Sequence, residues 1–104
     1  MAKVVWSQYA IDLADIILQE SKGLYGDKTY QRLIDRIEFL QERLSSMPRI
    51  GAKEEALENE EGDYRFLTIN KRFKLVYEVV DDENVLIIAV WDFKQNPDKL
   101  RYFI

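Results

Sequence analysis

The stretch that most constrains the fold is residues 64–93, which holds three apolar runs divided by short polar breaks. The second run alternates between two unlike faces in the period-2 pattern of a strand, and its apolar face carries Phe73, Leu75, Tyr77 and Val79. The third run, residues 85–93, is apolar on both faces apart from Asp92, as in a covered central strand. The breaks at 70–71 and 81–84 suit hairpin turns. The stretch therefore predicts a three-stranded antiparallel sheet that the rest of the chain must cover.

Two amphipathic helices are predicted before this sheet. Apolar residues recur three and four apart within residues 7–22 and again within residues 27–45, so each helix has one face to bury. Ser7 and Asp27 are the expected N-caps, and Pro48 follows the end of the second helix. A glycine-containing loop joins the helices, which predicts an antiparallel hairpin. The apolar pattern lasts under three heptads per helix, which favours packing on the sheet over a coiled-coil dimer arm.

A fourth strand is expected at residues 3–6, and the later strands at residues 64–70, 73–80 and 85–93. The element order is then β-α-α-β-β-β, which predicts an α+β fold with the helical hairpin packed on a mainly antiparallel four-stranded sheet. Residues 48–63 are expected to be irregular, with Leu57 as the anchor to the core. A chain of 104 residues predicts a single domain over residues 1–104.

The amino-acid composition excludes several kinds of chemical site. The chain contains no cysteine and no histidine, so it has no disulfide, no thiolate metal site and no imidazole base. We expect no metal and no cofactor. No apolar run approaches the roughly 20 residues that span a bilayer, and no signal-peptide pattern opens the chain, so a cytoplasmic location without membrane contact is expected.

The charge is unevenly distributed along the chain. The net charge is −4, but residues 54–63 alone carry six carboxylates and no basic residue, while the segments on either side are slightly basic. Five cations are placed on or beside the predicted sheet: Arg65, Lys71, Arg72, Lys74 and Lys94. This group is the expected working surface, with an electrostatic target-binding role.

The order of these features resembles the RelE/ParE superfamily of bacterial toxins from type II toxin–antitoxin (plasmid stabilisation) modules. The resemblance covers nearly the whole chain and rests on Trp6-Ser7 with Ala10 and Leu13, Pro48 with Gly51, Gly62-Asp63-Tyr64-Arg65, and residues 73–79 and 85–92. It implies the same fold and a cognate antitoxin whose C-terminal segment wraps the toxin. RelE-like members are ribosome-dependent endoribonucleases that cut mRNA, whereas ParE-like members have a longer helical hairpin and poison DNA gyrase.

The resemblance also carries over candidate catalytic residues. Arg65 matches the arginine of the family's Tyr-Arg pair, and Lys74 falls at a basic position before Leu-Val-Tyr. Glu55 aligns with a glutamate that serves as general base in one nuclease subgroup. That subgroup carries further catalytic side chains after the last strand. At the corresponding place this chain has Trp91-Asp92-Phe93-Lys94, and its first tyrosine after that strand is Tyr102. Lys94 is the remaining catalytic candidate, as a cation.

The favoured hypothesis is a ParE-like toxin that acts by binding a target, with DNA gyrase as the target that the resemblance implies. The alternatives are a ribosome-dependent mRNA endonuclease and a non-toxic descendant that keeps only the antitoxin-binding fold. A dimer or a toxin–antitoxin heterotetramer is the expected assembly. The apolar C-terminal tail could pack on the core or meet a partner, and the expected antitoxin contacts are Trp91, Leu100, Tyr102 and Phe103.

Overall fold

A computed structural model describes residues 1–104. Two α-helices and five strands follow one another along the chain: β1 Lys3–Trp6, α1 Gln8–Tyr25, α2 Asp27–Ser46, β2 Ala52–Lys53, β3 Asp63–Thr68, β4 Phe73–Asp81 and β5 Asn84–Asp92. Two short 3₁₀ helices complete the structure, Glu55–Leu57 after β2 and Pro97–Phe103 at the C-terminus.

The five strands form one sheet in the order β1-β5-β4-β3-β2. Strand β1 lies at the edge and pairs with β5 in parallel, and every other pair is antiparallel. This arrangement confirms the predicted α+β fold and the meander of residues 64–93. The prediction of four strands omitted β2, which pairs Ala52 with Phe66 and Lys53 with Arg65. Two residues are too short a stretch to show an alternating pattern in the sequence.

Both predicted helices are present, and each ends slightly later than expected. The hydroxyl of Ser7 accepts a hydrogen bond from the Ala10 N–H at 3.1 Å, so Ser7 is the cap of α1 as predicted. The prediction that Asp27 caps α2 is wrong, because Asp27 is already the first helical residue and Gly26 occupies the cap position. Gly26 has a φ of 89°, which allows a single residue to reverse the chain between the helices.

The sheet has two buried faces, which are covered by different kinds of structure. On the helix-covered face, α1 and α2 pack against alternate residues of the strands, and the most buried residues are Ala10, Leu44, Leu75, Tyr77, Val85 and Ile87. On the loop-covered face, the segments around the two 3₁₀ helices cover the sheet, and the buried cluster is Leu57, Tyr64, Val76, Ile88, Ala89, Trp91 and Leu100. Leu57 is 1% exposed, which confirms it as the anchor of its segment.

Tyr77 attaches the segment before β2 to the sheet. Its hydroxyl oxygen accepts a hydrogen bond of 2.9 Å from the Gly51 N–H, and burial of the ring raises the pKa of Tyr77. A Cβ at Gly51 would lie 2.5 Å from the backbone oxygen of Phe66 and 2.7 Å from the Tyr77 hydroxyl. Only glycine permits this close approach, which places the following residues against the edge of β3.

Candidate functional site

The structure separates the two sheet cations that were expected to act together. Arg65 lies opposite Tyr77 in the pairing of β3 with β4, whereas Lys74 lies opposite Trp91 in the pairing of β4 with β5. Tyr77 belongs to the helix-covered core and Trp91 to the loop-covered core. Because side chains directly opposite in a sheet share a face, Arg65 and Lys74 point to opposite faces.

Lys74 forms a buried ion pair with Glu54 on the loop-covered face. Both residues are buried, at 7% and 5% exposure, and the Lys74 ammonium donates a hydrogen bond to Glu54 Oε1. The ammonium also lies 4.8 Å from the ring centre of Phe66 and 5.6 Å from that of Phe93. A carboxylate and two aromatic faces therefore neutralise and enclose the charge, as a buried cation requires.

The carboxylate that meets Lys74 is not the one singled out from the sequence. Glu55 begins the first 3₁₀ helix, is exposed, and makes no ion pair. Glu54 is the N-cap of the same turn, and its Oε2 accepts a hydrogen bond from the Ala56 N–H at 3.3 Å. Its backbone N–H donates to the Tyr64 carbonyl oxygen at 2.9 Å, which ties it to β3 directly after β2. No signal in the sequence distinguished Glu54 from the neighbouring acids.

Arg65 is held by the chain around it. Its Nε bonds Asp63 at 3.0 Å, and its Nη1 donates to the carbonyl oxygens of Arg49 at 3.1 Å and Gly51 at 3.0 Å. Asp63 also receives the ammonium of Lys53 at 2.6 Å. Burial acts to raise the pKa of Asp63, but the hydrogen bonds from Lys53 and Arg65 outweigh it and hold the pKa below its usual value. Arg65 thus fixes the segment before β2 to β3.

The other three predicted binding cations lie together at the end of the sheet where β4 begins and β5 ends. Lys71, Arg72 and Lys94 are all exposed. The backbone carbonyl of Arg72 accepts a hydrogen bond from the Phe93 N–H at 2.9 Å, and the Nε of the Arg72 side chain pairs with Asp92 at 3.2 Å. The backbone N–H of Lys94, then Arg72, lowers the pKa of Asp92. Lys71 and Lys94 make no ion pair, so their charges face solvent.

The C-terminal tail packs on the loop-covered face. Leu100 is fully buried, and the Phe103 ring meets the Trp91 ring edge-on, with centroids 5.5 Å apart. Trp91 is only 3% exposed, and its indole N–H is buried without a hydrogen-bond partner. Tyr102 is 74% exposed. Of the four predicted antitoxin contacts, Tyr102 alone is freely exposed, since the chain uses the others wholly or partly in its own packing.

The acidic segment divides into internal and external carboxylates. Glu54 and Asp63 are bonded within the protein, whereas Glu55, Glu58, Glu60 and Glu61 are exposed. These four form an outward acidic patch. No group of three or more acidic side chains is arranged to hold a metal ion. No helix is long and apolar enough to cross a membrane.

Comparison with known proteins decides the family. Residues 4–97 match the family described as "ParE toxin of type II toxin-antitoxin system, parDE". The chain belongs to the ParE toxin family. It is therefore a toxin of the type II toxin–antitoxin class, and the resemblance noted in the sequence is confirmed. The match ends at Pro97, so most of the second 3₁₀ helix lies beyond it. Among curated protein sequences, none matches the chain.

Solved structures agree with the fold of this ParE-family toxin. A structure titled "Chromosomal ParDE TA system from P. aeruginosa" is 19% identical with a TM-score of 0.68, and the match covers 88% of this chain and 96% of that one. A structure titled "The structure of YoeB dimer from Staphylococcus aureus" is 20% identical with a TM-score of 0.59, covering 90% and 98% respectively. At these identities the likeness concerns the fold alone.

Proposed function

We propose that this toxin arrests growth by binding a protein target, DNA gyrase, without cleaving RNA, and that a cognate antitoxin neutralises it. The observation that carries the proposal is that the side chains of Arg65 and Lys74 are both already bonded within the protein. Each is bonded to a carboxylate of its own chain, and the two lie on opposite faces of the sheet. Cations fixed in this way support the fold and are not free to meet a phosphate.

RNA cleavage by 2′-hydroxyl attack needs a base, an acid and free cations around one phosphate. Glu55 is the candidate base, and the acid is missing unless a lysine or Tyr102 provides it; both Glu55 and Tyr102 are exposed. Neither side chain makes a hydrogen bond or an ion pair with Arg65, Lys74 or Lys94. Without such contacts nothing holds the base, the acid and the cations around one reacting group, which favours a binding mechanism.

The surface proposed to meet the target is the cation cluster of Lys71, Arg72 and Lys94. These side chains are exposed at one end of the sheet, and two of them have no internal partner. Such a cluster on an otherwise acidic protein attracts an acidic surface and speeds encounter in a salt-dependent way. The assignment of gyrase as the target rests on membership of the ParE family.

The antitoxin is proposed to bind across the acidic patch and the C-terminal tail. Basic side chains of the antitoxin would face the exposed glutamates of residues 55–61, and Tyr102 offers an exposed aromatic contact. Contacts to Trp91 and Leu100 would require the tail to move, because both residues are buried beneath it. We propose a dimer or a toxin–antitoxin heterotetramer as the assembly. Co-expression with the adjacent small reading frame should yield a stable complex, and failure of every neighbouring protein to co-purify would contradict this part.

Induced expression in a bacterial host tests the mechanism. We expect growth arrest with gyrase-dependent DNA breaks and no new mRNA ends. The double variant Lys71→Ala/Lys94→Ala should lose most of the arrest while keeping its fold, because it removes the two free cations of the surface. A matched control, Lys3→Ala/Lys28→Ala, removes the same charge from exposed positions elsewhere and should arrest growth as the wild type does.

Two results would overturn the proposal. New mRNA ends in arrested cells, abolished together with the arrest by Glu55→Gln, would establish the nuclease. Normal growth with abundant, folded protein would instead identify a non-toxic descendant.

A further inference from the structure

A basic cavity lies where the helical hairpin meets the turn between β3 and β4, apart from the Lys74–Glu54 pair. It has a volume of about 390 Å³, and its lining includes Arg32, Arg36 and Arg72 but no aspartate or glutamate. The other concave regions of the surface each include at least one carboxylate among their lining residues. In a chain of net charge −4, a cavity whose charged lining residues are all cations is a local exception that favours an anionic ligand.

The three guanidinium groups differ in how far the protein already uses them. Arg36 is oriented by two backbone carbonyls, those of Ile69 and Thr68, each at 3.2 Å. Arg72 is oriented through its Nε, which pairs with Asp92, and it lies over the Phe73 ring. Arg32 makes no hydrogen bond or ion pair with the protein. Two arginines are therefore pre-positioned at the cavity, and the third has its whole planar fork free for an anion.

Ser21 adds a hydroxyl group to the lining of the cavity. It is one of three buried polar or charged residues in the protein, and the other two, Glu54 and Lys74, satisfy each other. Ser21 is 8% exposed, lines the cavity, and makes no side-chain hydrogen bond within the protein. The indole N–H of Trp91 is the one fully buried side-chain polar atom without a partner, so the unpaired Ser21 hydroxyl is open to the cavity, where it can donate to an acceptor on a bound molecule.

The lining residues also indicate the chemistry of the ligand. Leu33, Ile69 and Phe73 are each 5% exposed and form an apolar floor beneath the arginines. A ligand that satisfies both parts carries an anionic group beside an apolar group. A nucleic acid backbone would bring many phosphates toward a protein with 19 acidic and 15 basic residues, and repulsion opposes that encounter. An acidic peptide needs only one or two carboxylates here.

We propose that this cavity binds an acidic peptide segment of a partner protein, in which an aspartate or glutamate is flanked by an apolar side chain. The carboxylate would pair with Arg32 and Arg72 and accept from the Ser21 hydroxyl, while the apolar side chain would lie on Phe73. Arg72 borders both this cavity and the proposed target surface. The inference does not depend on toxicity, since it concerns binding by the folded chain alone.

The test is a titration of the ¹⁵N-labelled full chain, followed by NMR, with the peptide acetyl-Leu-Glu-Phe-Glu-amide. We expect saturable shifts of the Arg32, Arg36 and Arg72 side-chain N–H signals and of the Ser21 amide. The glutamine peptide acetyl-Leu-Gln-Phe-Gln-amide should bind about tenfold more weakly, because charge-assisted pairing is lost. Arg32→Gln should weaken the acidic peptide similarly, whereas the control Arg101→Gln, an exposed arginine of the tail, should not.

The outcomes that would overturn the inference are specific. The absence of shifts at the lining residues in the wild type would remove the site. Equal affinity for the glutamine peptide, or an unchanged affinity in Arg32→Gln, would show that the arginines do not recognise the carboxylate. Tighter saturable binding of an eight-residue oligothymidylate at the same residues would assign the cavity to nucleic acid instead of a peptide.

Discussion

The two faces of the sheet are built on different principles. The helix-covered face is closed by two regular helices that bury apolar side chains, and the protein's two buried charged residues, Glu54 and Lys74, do not lie on it. The loop-covered face is closed by two short 3₁₀ segments, and it buries the Lys74–Glu54 ion pair and the unpartnered indole N–H of Trp91. In this protein the regular helices cover the sheet without burying a charged residue, whereas the short segments bring an ion pair inside with them.

The difference has an energetic consequence. On the helix-covered face, each buried apolar side chain stabilises the fold, and the stability lost on truncation grows with the size of the side chain removed. A buried ion pair adds little net stability, but breaking it leaves an uncompensated charge in a dry environment. Replacing one partner of the Lys74–Glu54 pair should therefore destabilise the fold strongly, whereas replacing both partners together should destabilise it much less.

The largest expected effect comes from breaking the ion pair. Lys74→Met leaves Glu54 buried and unpaired, and we expect a loss of about 3–5 kcal/mol in the free energy of unfolding. Combining it with Glu54→Gln, which keeps the hydrogen bond to Ala56, should restore most of that loss. Urea denaturation of both single variants and the double variant measures this cycle. Additive losses would show that the two residues do not depend on each other.

The next largest effect is expected from truncating one buried leucine on each face of the sheet. Leu44 and Leu100 are both fully buried, the first on α2 and the second in the tail. Leu44→Ala should lower the global unfolding free energy by about 2–5 kcal/mol. Leu100→Ala should cost less globally and loosen the tail, which exposes Trp91.

The measurement for the two leucines is iodide quenching of Trp91 in a Trp6→Phe background. Quenching should rise in Leu100→Ala and stay low in Leu44→Ala and in the control Tyr102→Ala, which alters an exposed side chain of the same tail. Equal quenching in all three variants would mean that the tail is no more easily loosened than the helical core.

The smallest effect concerns Asp63, which joins β3 to the segment before it. The folded pKa of Asp63 lies below the usual aspartate value of 3.8, so its contribution to stability is present above that pH and is lost as the pH falls through the folded pKa. Asp63→Asn should cost about 1 kcal/mol near neutral pH, and this cost should shrink as the pH falls through the lowered pKa of Asp63. Urea midpoints across this range measure it, with the exposed Asp82→Asn as control. A cost that persists at low pH would contradict the electrostatic explanation.

The helix-covered face could be predicted from the sequence in nearly all its parts. Periodicity alone located both helices and the meander, because each apolar stripe needs a complementary surface. What periodicity could not supply was β2, whose two residues, Ala52 and Lys53, carry no pattern of their own.

The site was harder to predict because it depends on register and on irregular backbone. Arg65 and Lys74 are on different strands, and only the pairing of Thr68 with Lys74 determines that their side chains point to opposite faces. The choice between Glu54 and Glu55 depends on the exact turn that follows β2. A change of one residue there would exchange the buried and the exposed carboxylate.

The most direct test of the central claim uses the double variant Glu54→Gln/Lys74→Met in the growth-arrest assay, with its fold checked by circular dichroism and its urea midpoint. If this pair supports the loop-covered face and performs no chemistry, the folded double variant should arrest growth as the wild type does, with gyrase-dependent DNA breaks. A folded double variant that no longer arrests growth, beside a wild type that cuts mRNA, would contradict this claim.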